Sequence, residues 1–96
     1  MDNFFETIEL ALQNISDFYE NSFKISPDQC IPYLLSFIEN MDYLSLRLSP
    51  KQSKKVNKLL GNIISALQEQ DYVVVKDCLV YEIQPFLVKL QKNDSN

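Results

Sequence analysis

Apolar residues recur along the chain at intervals of three and four, the spacing that places side chains on one face of an α-helix. The pattern occurs in four successive stretches. The first contains Phe5, Ile8, Leu12, Ile15 and Tyr19, widened by a parallel set of Phe4, Ala11 and Phe18. The others contain Leu34, Phe37, Ile38, Met41, Leu44 and Leu48; Val56, Leu59, Leu60, Ile63, Ile64 and Leu67; and Tyr72, Val75, Leu79, Ile83, Phe86 and Leu90. The pattern predicts an all-α fold with these residues in its core.

Capping residues mark where the helices start. The motif S-P-x-Q occurs at Ser26–Gln29 and again at Ser49–Gln52. In each copy the serine suits the N-cap, the proline suits the first helical position, and the glutamine completes a capping box. Asn3, with Glu6 three residues later, and Asp71 are further N-cap candidates. These signals predict helices over about 4–21, 27–47, 50–70 and 72–91.

Two prolines interrupt this pattern, because proline lacks an amide hydrogen and crowds the preceding turn. At Pro32, either the second helix kinks, or residues 27–31 form a separate short turn and the long helix starts at Pro32. Pro85 is expected to kink the fourth helix or to end its regular hydrogen-bond ladder near Tyr81. The β-branched run 72–75 resembles a strand, but a lone strand in a helical chain has no partner.

Helices of similar length joined by short corners favour antiparallel neighbours. The sequence therefore predicts an antiparallel, up-down-up-down four-helix bundle, with each helix about 30 Å long. The alternative is a three-helix arrangement with the Pro32 or Pro85 segment folded aside. One domain is expected over residues 1–92, followed by a disordered polar tail at 93–96. The scarcity of glycine, one in 96 residues, supports the all-α prediction, because hairpin turns in sheet proteins require glycine.

The composition excludes several kinds of chemistry. The chain has no histidine, which removes the usual general base and most zinc sites. Its lone glycine, Gly61, excludes glycine-rich phosphate loops and suggests instead that another helix approaches closely at that point. Cys30 and Cys78 lie among apolar residues and are expected to be reduced. No stretch has the character of a membrane span or a secretory signal. These features predict a cytoplasmic protein that is not an enzyme and has no metal or cofactor.

Charge is distributed unevenly. Five basic residues and no acidic ones lie between Tyr43 and Gln68, although the net charge of the chain is −4. Four of the five are spaced along one face of the third helix: Lys51, Lys54, Lys55 and Lys58. This face is either a contact for an acidic partner or a solvated surface. Nucleic-acid binding is disfavoured because the chain is acidic, with a pI near 4.6.

The second and fourth helices contain more apolar residues than one buried stripe uses. The surplus consists of Tyr33, Leu35, Tyr43 and Leu46 on the second helix, and Val73, Val74, Val80, Tyr81, Leu87 and Val88 on the fourth. Such residues are either scattered on the surface or form an interface with another protein or a second copy. Tyrosines favour the interface, because their rings suit surfaces that are sometimes wet. The candidate contacts are Tyr33, Tyr43, Val73 and Tyr81, together with the four lysines.

Residues 71–87 follow the pattern D-Y-x-x-x-x-D-x-L-x-Y-E-x-x-P-x-L. This segment resembles one in small uncharacterised helical proteins of Gram-positive bacteria. The resemblance implies no activity, but it singles out Asp77, Tyr81, Glu82 and Pro85 as a polar cluster at the kink. In size and architecture alone, the chain is also similar to flagellar and secretion export chaperones, which are acidic helical bundles with apolar grooves.

Three functions follow from these observations. The leading hypothesis is a non-enzymatic interaction or regulatory module, chaperone- or adaptor-like and homodimeric, whose apolar helix faces bind a partner helix. The second is an adaptor that binds an acidic protein or nucleic acid through the basic face of the third helix. The third is a carboxylate-dependent metal binder or enzyme that uses Asp77 and Glu82.

Overall fold

The computed structural model describes residues 3–94, and the side chains of residues 3–92. Helices account for nearly all of this part of the chain, and it contains no strand. The elements are α1 (Phe4–Asn21), a 3-10 turn (Pro27–Cys30), α2 (Ile31–Ser45), α3 (Pro50–Gln68), α4 (Tyr72–Asp77), a π-helical turn (Cys78–Ile83) and α5 (Gln84–Asp94). The predicted all-α fold with four helical stretches is therefore confirmed. The chain divides into an N-terminal unit that ends at Arg47 and a C-terminal unit that starts at Leu48.

In the N-terminal unit, α1 and α2 pack side by side. The Arg47 guanidinium lies 5.7 Å from the centre of the Phe4 ring. Further along, Asn40 Nδ2 donates a hydrogen bond of 2.7 Å to Asn14 Oδ1. The first contact joins residues 4 and 47, and the second joins residues 14 and 40. Because the residue number increases along α1 while that of its partner decreases, α1 and α2 are antiparallel within this unit. The core between them contains Phe4, Ile8, Ala11, Ile15 and Phe18 from α1, and Leu34, Phe37, Met41 and Leu44 from α2.

The buried face of α1 differs from the main predicted stripe. Phe5 and Tyr19 are exposed and Leu12 is half-buried, whereas the parallel set of Phe4, Ala11 and Phe18 is buried. Both sets have helical spacing, so periodicity alone does not choose between them. Thr7 is buried as well, and its hydroxyl donates a hydrogen bond of 2.8 Å to the Asn3 carbonyl. The Asn3 side chain caps no amide, so the predicted box with Glu6 is not formed.

The segment around Pro32 follows the second of the two predicted alternatives. Residues Pro27–Cys30 form a separate 3-10 turn, and α2 begins at Ile31 with Pro32 in its first turn. A proline there has no hydrogen-bond partner to lose, because the first amides of a helix have none. The predicted break near Pro32 is therefore confirmed, with α2 starting one residue before Pro32 and ending at Ser45. Ser26 precedes the 3-10 turn, but its side chain caps no amide.

In the C-terminal unit, α3 packs against a continuous helical stretch, residues 72–94, which comprises α4, the π-helical turn and α5. We call this stretch the C-terminal segment. The buried residues are Val56, Leu59, Leu60, Ile63 and Ala66 from α3, and Val75, Cys78, Leu79, Ile83, Leu87 and Leu90 from the C-terminal segment. Ile64, predicted in the core, is exposed. The C-terminal segment is helical at 72–75, where the sequence resembles a strand, and α5 continues to Asp94, past the predicted start of the polar tail. Ser95 and Asn96 lie outside the described residues.

The predicted interruption near Tyr81 takes the form of the π-helical turn. Pro85 has no amide hydrogen for the Tyr81 carbonyl and its ring crowds that group, so the helix widens just before it. The Gln84 amide donates to the Leu79 carbonyl, five residues back. The wider turn also changes which side chains face inward: Leu87, predicted on the surface, is buried, and Phe86, predicted in the core, is half-buried.

The two serine–proline corners provide a matched test of capping. Ser49 Oγ accepts a hydrogen bond of 3.2 Å from the Gln52 amide, and Gln52 Oε1 accepts one of 3.0 Å from the Ser49 amide. We expect Ser49→Ala to lower the free energy of unfolding by about 1 kcal/mol, the usual effect of losing an N-cap. Ser26→Ala should change it by a few tenths at most, because Ser26 caps nothing. Urea denaturation of both variants checks this, and equal losses would contradict it.

Gly61 is an exposed residue inside α3, and a Cβ built there would meet no described atom within 4 Å. No other helix in the described part of the C-terminal unit therefore packs closely at this glycine. Since alanine restricts the unfolded chain and favours the helix, Gly61→Ala should raise the free energy of unfolding by about 1 kcal/mol. The measurement is the urea midpoint, and a lower midpoint would show that the position needs glycine.

The turn between α3 and α4 has a residue other than glycine at a position where the backbone conformation favours glycine. Gln70, with φ of 58°, is the only non-glycine residue with positive φ in the described chain. The Asp71 amide donates to the Ala66 carbonyl at 2.8 Å and the Gln70 amide donates to the Leu67 carbonyl at 3.0 Å, which together form a Schellman C-cap. Glycine adopts this left-handed conformation without steric cost. We therefore expect Gln70→Gly to raise the free energy of unfolding by about 1 kcal/mol. Thermal unfolding checks this, and a melting temperature below that of the wild type would contradict it.

Candidate functional site

Two adjoining hollows lie between α3 and the C-terminal segment. One has a volume of about 760 Å³, and its lining includes Lys51, Lys55, Tyr81, Glu82, Phe86 and Lys89. The other has a volume of about 560 Å³, and its lining includes Glu69, Asp71, Asp77, Cys78, Tyr81 and Glu82. Because Tyr81 and Glu82 line both hollows, the two adjoin at these residues, and we refer to them together as the groove. We call the first hollow the basic end of the groove and the second its acidic end.

The groove follows the length of α3. Its α3 wall is formed by Lys51, Lys55, Asn62, Ala66 and Glu69, which are spaced by about one or two helical turns. At 1.5 Å per residue, the distance along the helix from Lys51 to Glu69 is about 27 Å. The opposite wall belongs to the C-terminal segment, where Asp71 lies at the acidic end and Lys89 at the basic end. Charge therefore changes sign along the groove.

The structure separates the four predicted lysines into two pairs. Lys51 and Lys55 line the basic end, whereas Lys54 and Lys58 are exposed on α3 outside both hollows. The Lys55 ammonium lies 5.6 Å from the centre of the Phe86 ring, within range of a cation–π interaction. Lys89 joins them from α5, and sequence reasoning missed it because it belongs to another helix. The basic end thus combines three cations with an aromatic ring.

The predicted polar cluster is brought together only in part. Asp77, Tyr81 and Glu82 share the acidic end, but Pro85 lines the basic end. Sequence reasoning missed Glu69 as a member of this site, and took the intervals of six and five residues between Asp71, Asp77 and Glu82 to place them on different faces, whereas all three line this hollow. Asp71 does cap α4, since its Oδ1 accepts a hydrogen bond of 3.2 Å from the Val74 amide. The helical spacing of 71, 74, 77, 78, 81 and 82 was the signal that could have placed these residues on one face.

Tyr81 is the most exposed aromatic residue of the C-terminal unit, with 74% of its surface accessible. It belongs to the π-helical turn, which directs the neighbouring Leu79 and Ile83 into the core. The ring therefore stands at the middle of the groove, between its two charged ends.

Cys78 lies at the floor of the acidic end, where its thiol donates a weak hydrogen bond of 3.8 Å to the Leu59 carbonyl. Burial, and secondarily the nearby Glu82 carboxylate, raise the pKa of this thiol above its ordinary value. Both effects disfavour the thiolate, which is the nucleophilic form. Cys78 is therefore a structural residue, and both cysteines are buried and outside any disulfide.

The carboxylates of the acidic end do not form a metal site. Among the described residues, no group of three or more cysteine, aspartate or glutamate side chains could hold a metal ion. The hypothesis of a carboxylate-dependent metal binder through Asp77 and Glu82 therefore has no geometric support in residues 3–92.

The remaining candidates lie outside the groove. Tyr33 is half-buried in the N-terminal unit, while Tyr43 and Val73 are exposed. The N-terminal unit also exposes Leu46 and Phe23, and the Phe23 ring packs edge-on against Tyr19 with centres 5.1 Å apart. Sequence reasoning missed Phe23 because it follows the last turn of α1 and so falls outside any helical stripe.

Comparison with known proteins supplies a family and no activity. No helix in the described part of the chain is long and apolar enough to cross a membrane. No curated protein and no solved structure is significantly similar to this sequence. Residues 1–93 match the family described as a domain of unknown function, DUF8042. Because that match covers nearly the whole chain, the protein belongs to the DUF8042 family.

Proposed function

We propose that the protein is a non-enzymatic interaction module that binds a partner protein through exposed apolar helix faces, with the groove of the C-terminal unit as its main contact surface. One observation carries this proposal: Tyr81, 74% exposed, forms the shared wall of both hollows. A large aromatic side chain at the centre of a groove with a charged rim is the usual composition of a binding hot spot.

The shape of the groove favours a helical partner. It lies between two helical walls and is about 27 Å long, which matches an α-helix of about 18 residues. An amphipathic helix would place apolar residues against Tyr81 and Phe86 and its charged residues at the two ends. The partner is another protein or a second copy of this chain, in a chaperone- or adaptor-like role.

The cellular setting belongs to the same proposal. Two buried cysteines outside any disulfide suit the reducing cytoplasm, where disulfides are rare. The likeness of residues 71–87 to small helical proteins of Gram-positive bacteria supports a bacterial origin.

A matched pair of tyrosine variants tests the proposal. Tyr81→Ala and Tyr43→Ala make the same truncation at exposed tyrosines of the two units. Proteins captured from an extract of the native host by the wild-type chain should bind equally to the Tyr43 variant and at least about tenfold less to the Tyr81 variant, as at a hot spot. If the Tyr43 variant lost binding and the Tyr81 variant retained it, the interface would lie in the N-terminal unit.

A second function is favoured by the convergence of Lys51, Lys55 and Lys89 at the basic end. In this alternative the protein is an adaptor that binds an acidic protein segment through charge, with the cation–π pair of Lys55 and Phe86 orienting the ligand. The net charge of −4 weighs against nucleic acid as that ligand. The double variant Lys51→Glu/Lys55→Glu should abolish binding to an acidic peptide. Lys54→Glu/Lys58→Glu, with the same spacing outside the groove, should leave it intact.

A further inference from the structure

We infer that the groove binds a second copy of this chain in a two-fold symmetric pair, with the basic end of each copy facing the acidic end of the other. This inference rests on the proposed function, because it names the partner at the same surface. It is carried by the distribution of charge along the groove and by the central position of Tyr81.

The two ends of the groove have opposite charges, and the Glu82 carboxylate lines both of them. Lys51, Lys55 and Lys89 line one end, and Glu69, Asp71 and Asp77 line the other. Each of these charged groups lies on the C-terminal unit, so one compact unit presents the whole pattern. An acidic peptide would neutralise only the first end, and a basic peptide only the second. An occupant that satisfies both ends must itself be basic at one end and acidic at the other.

The groove itself is basic at one end and acidic at the other. In a two-fold interface the same patch occurs on both subunits, so residue i of one copy faces residue j of the other and the reverse also holds. A patch that is positive at one end and negative at the other is complementary to its own rotated copy. The rotation axis then passes near the middle of the patch, where Tyr81 is exposed. The two Tyr81 rings would supply the apolar centre of the interface.

The size of the patch sets the expected strength of the pair. A length of about 27 Å and a width of about 20 Å, for two helices side by side, give roughly 500 Å² on each copy. A total near 1,000 Å² is below the range of stable specific interfaces, roughly 1,200–2,000 Å², and is typical of weak or transient ones. We therefore expect a dimer that dissociates in the micromolar range, and more readily at high salt, because exposed charges are screened.

Charge reversal at one end tests this geometry. Lys51→Glu/Lys55→Glu makes both ends acidic, and Glu69→Lys/Asp77→Lys removes the net negative charge of the acidic end while retaining Asp71 as the α4 cap. Glutamates near the start of α3 and a lysine near its end suit the helix dipole, so the altered residues on α3 should not disturb the fold. Circular dichroism checks that each variant is as helical as the wild type.

Sedimentation equilibrium should show a wild-type dimer, and each reversed variant should self-associate at least about tenfold more weakly, because opposite net charges no longer face each other. An equimolar mixture of the two variants should restore dimers, since the acidic end of the first variant faces the unaltered basic end of the second, and the introduced glutamates face the introduced lysines. Lys54→Glu/Lys58→Glu, outside the groove, should dimerise like the wild type.

Three results would overturn the inference: a monomeric wild type at the highest soluble concentration, reversed variants that dimerise as well as the wild type, or a mixture that stays monomeric. If a reversed variant lost its helicity, the salt dependence of the wild-type dimer would decide, and a dissociation constant that is independent of salt would count against the inference. The proposed function is tested separately, because capture of another protein through Tyr81 does not require self-association.

Discussion

Replacing Leu34 with alanine is expected to lower the free energy of unfolding by about 2–5 kcal/mol, the range for buried leucines. Leu34 is 1% exposed and lies in the core between α1 and α2, so its truncation removes apolar contacts and leaves a cavity. Leu35, the next residue of the same helix, is 56% exposed. Leu35→Ala should therefore change the stability by no more than about 0.5 kcal/mol. Urea denaturation followed by circular dichroism measures both.

This pair tests the assignment of the buried face of α2 with identical changes at adjacent positions. The same helix propensities apply to both variants, so they cancel in the comparison. Similar losses at the two positions would mean that Leu35 is also covered, for example by a second molecule. Repeating the measurement across protein concentration would detect such an effect, since stabilisation by association depends on concentration.

The second large effect is expected at Leu87, which is fully buried with 0% exposure. Leu87→Ala should lower the free energy of unfolding by about 2–5 kcal/mol. Val88 is half-buried, and Val88→Ala should cost less, about 1 kcal/mol. The measurement is again the urea midpoint, with hydrogen exchange on α5 to locate the effect.

The reason lies in the π-helical turn. The buried positions Val75, Leu79, Ile83 and Leu87 are separated by intervals of four. In a regular α-helix each such interval passes a full turn by about 40°, so the four would spread over about 120°. The wider turn at Cys78–Ile83 compensates for this drift and keeps them on one side. If Val88→Ala were the more damaging change, the turn would not set the register of α5.

The helical character of the chain was predictable because its signals are local. Apolar spacing, Ser49 and Asp71 as caps, and the near absence of glycine all act within a few residues, and the start of α3 matches the prediction. The two S-P-x-Q motifs show where local reasoning stops. At Ser49 the full capping box forms, whereas at Ser26 a second proline, Pro32, ends the first turn early and leaves a 3-10 turn.

The candidate site was predictable only in pieces. Tyr81, Asp77, Glu82 and the lysines were chosen from the sequence, but as separate features of two helices. Their combination in one groove depends on α3 packing against the C-terminal segment, and this brings Lys89 and Glu69 to the site. No short-range pattern contains that information, because the partners lie far apart in the chain.

By itself, the sequence determined that this protein is helical, where most of its helices begin, and that four of its nine basic residues lie together on α3. These properties follow from backbone hydrogen bonding and side-chain periodicity, which neighbouring residues control. Only the tertiary structure decided which of two overlapping stripes on α1 is buried, that Leu87 and not Phe86 enters the core, and that acidic and basic residues line one groove. Those outcomes depend on the packing of side chains between helices, and helical spacing permits more than one solution to that packing.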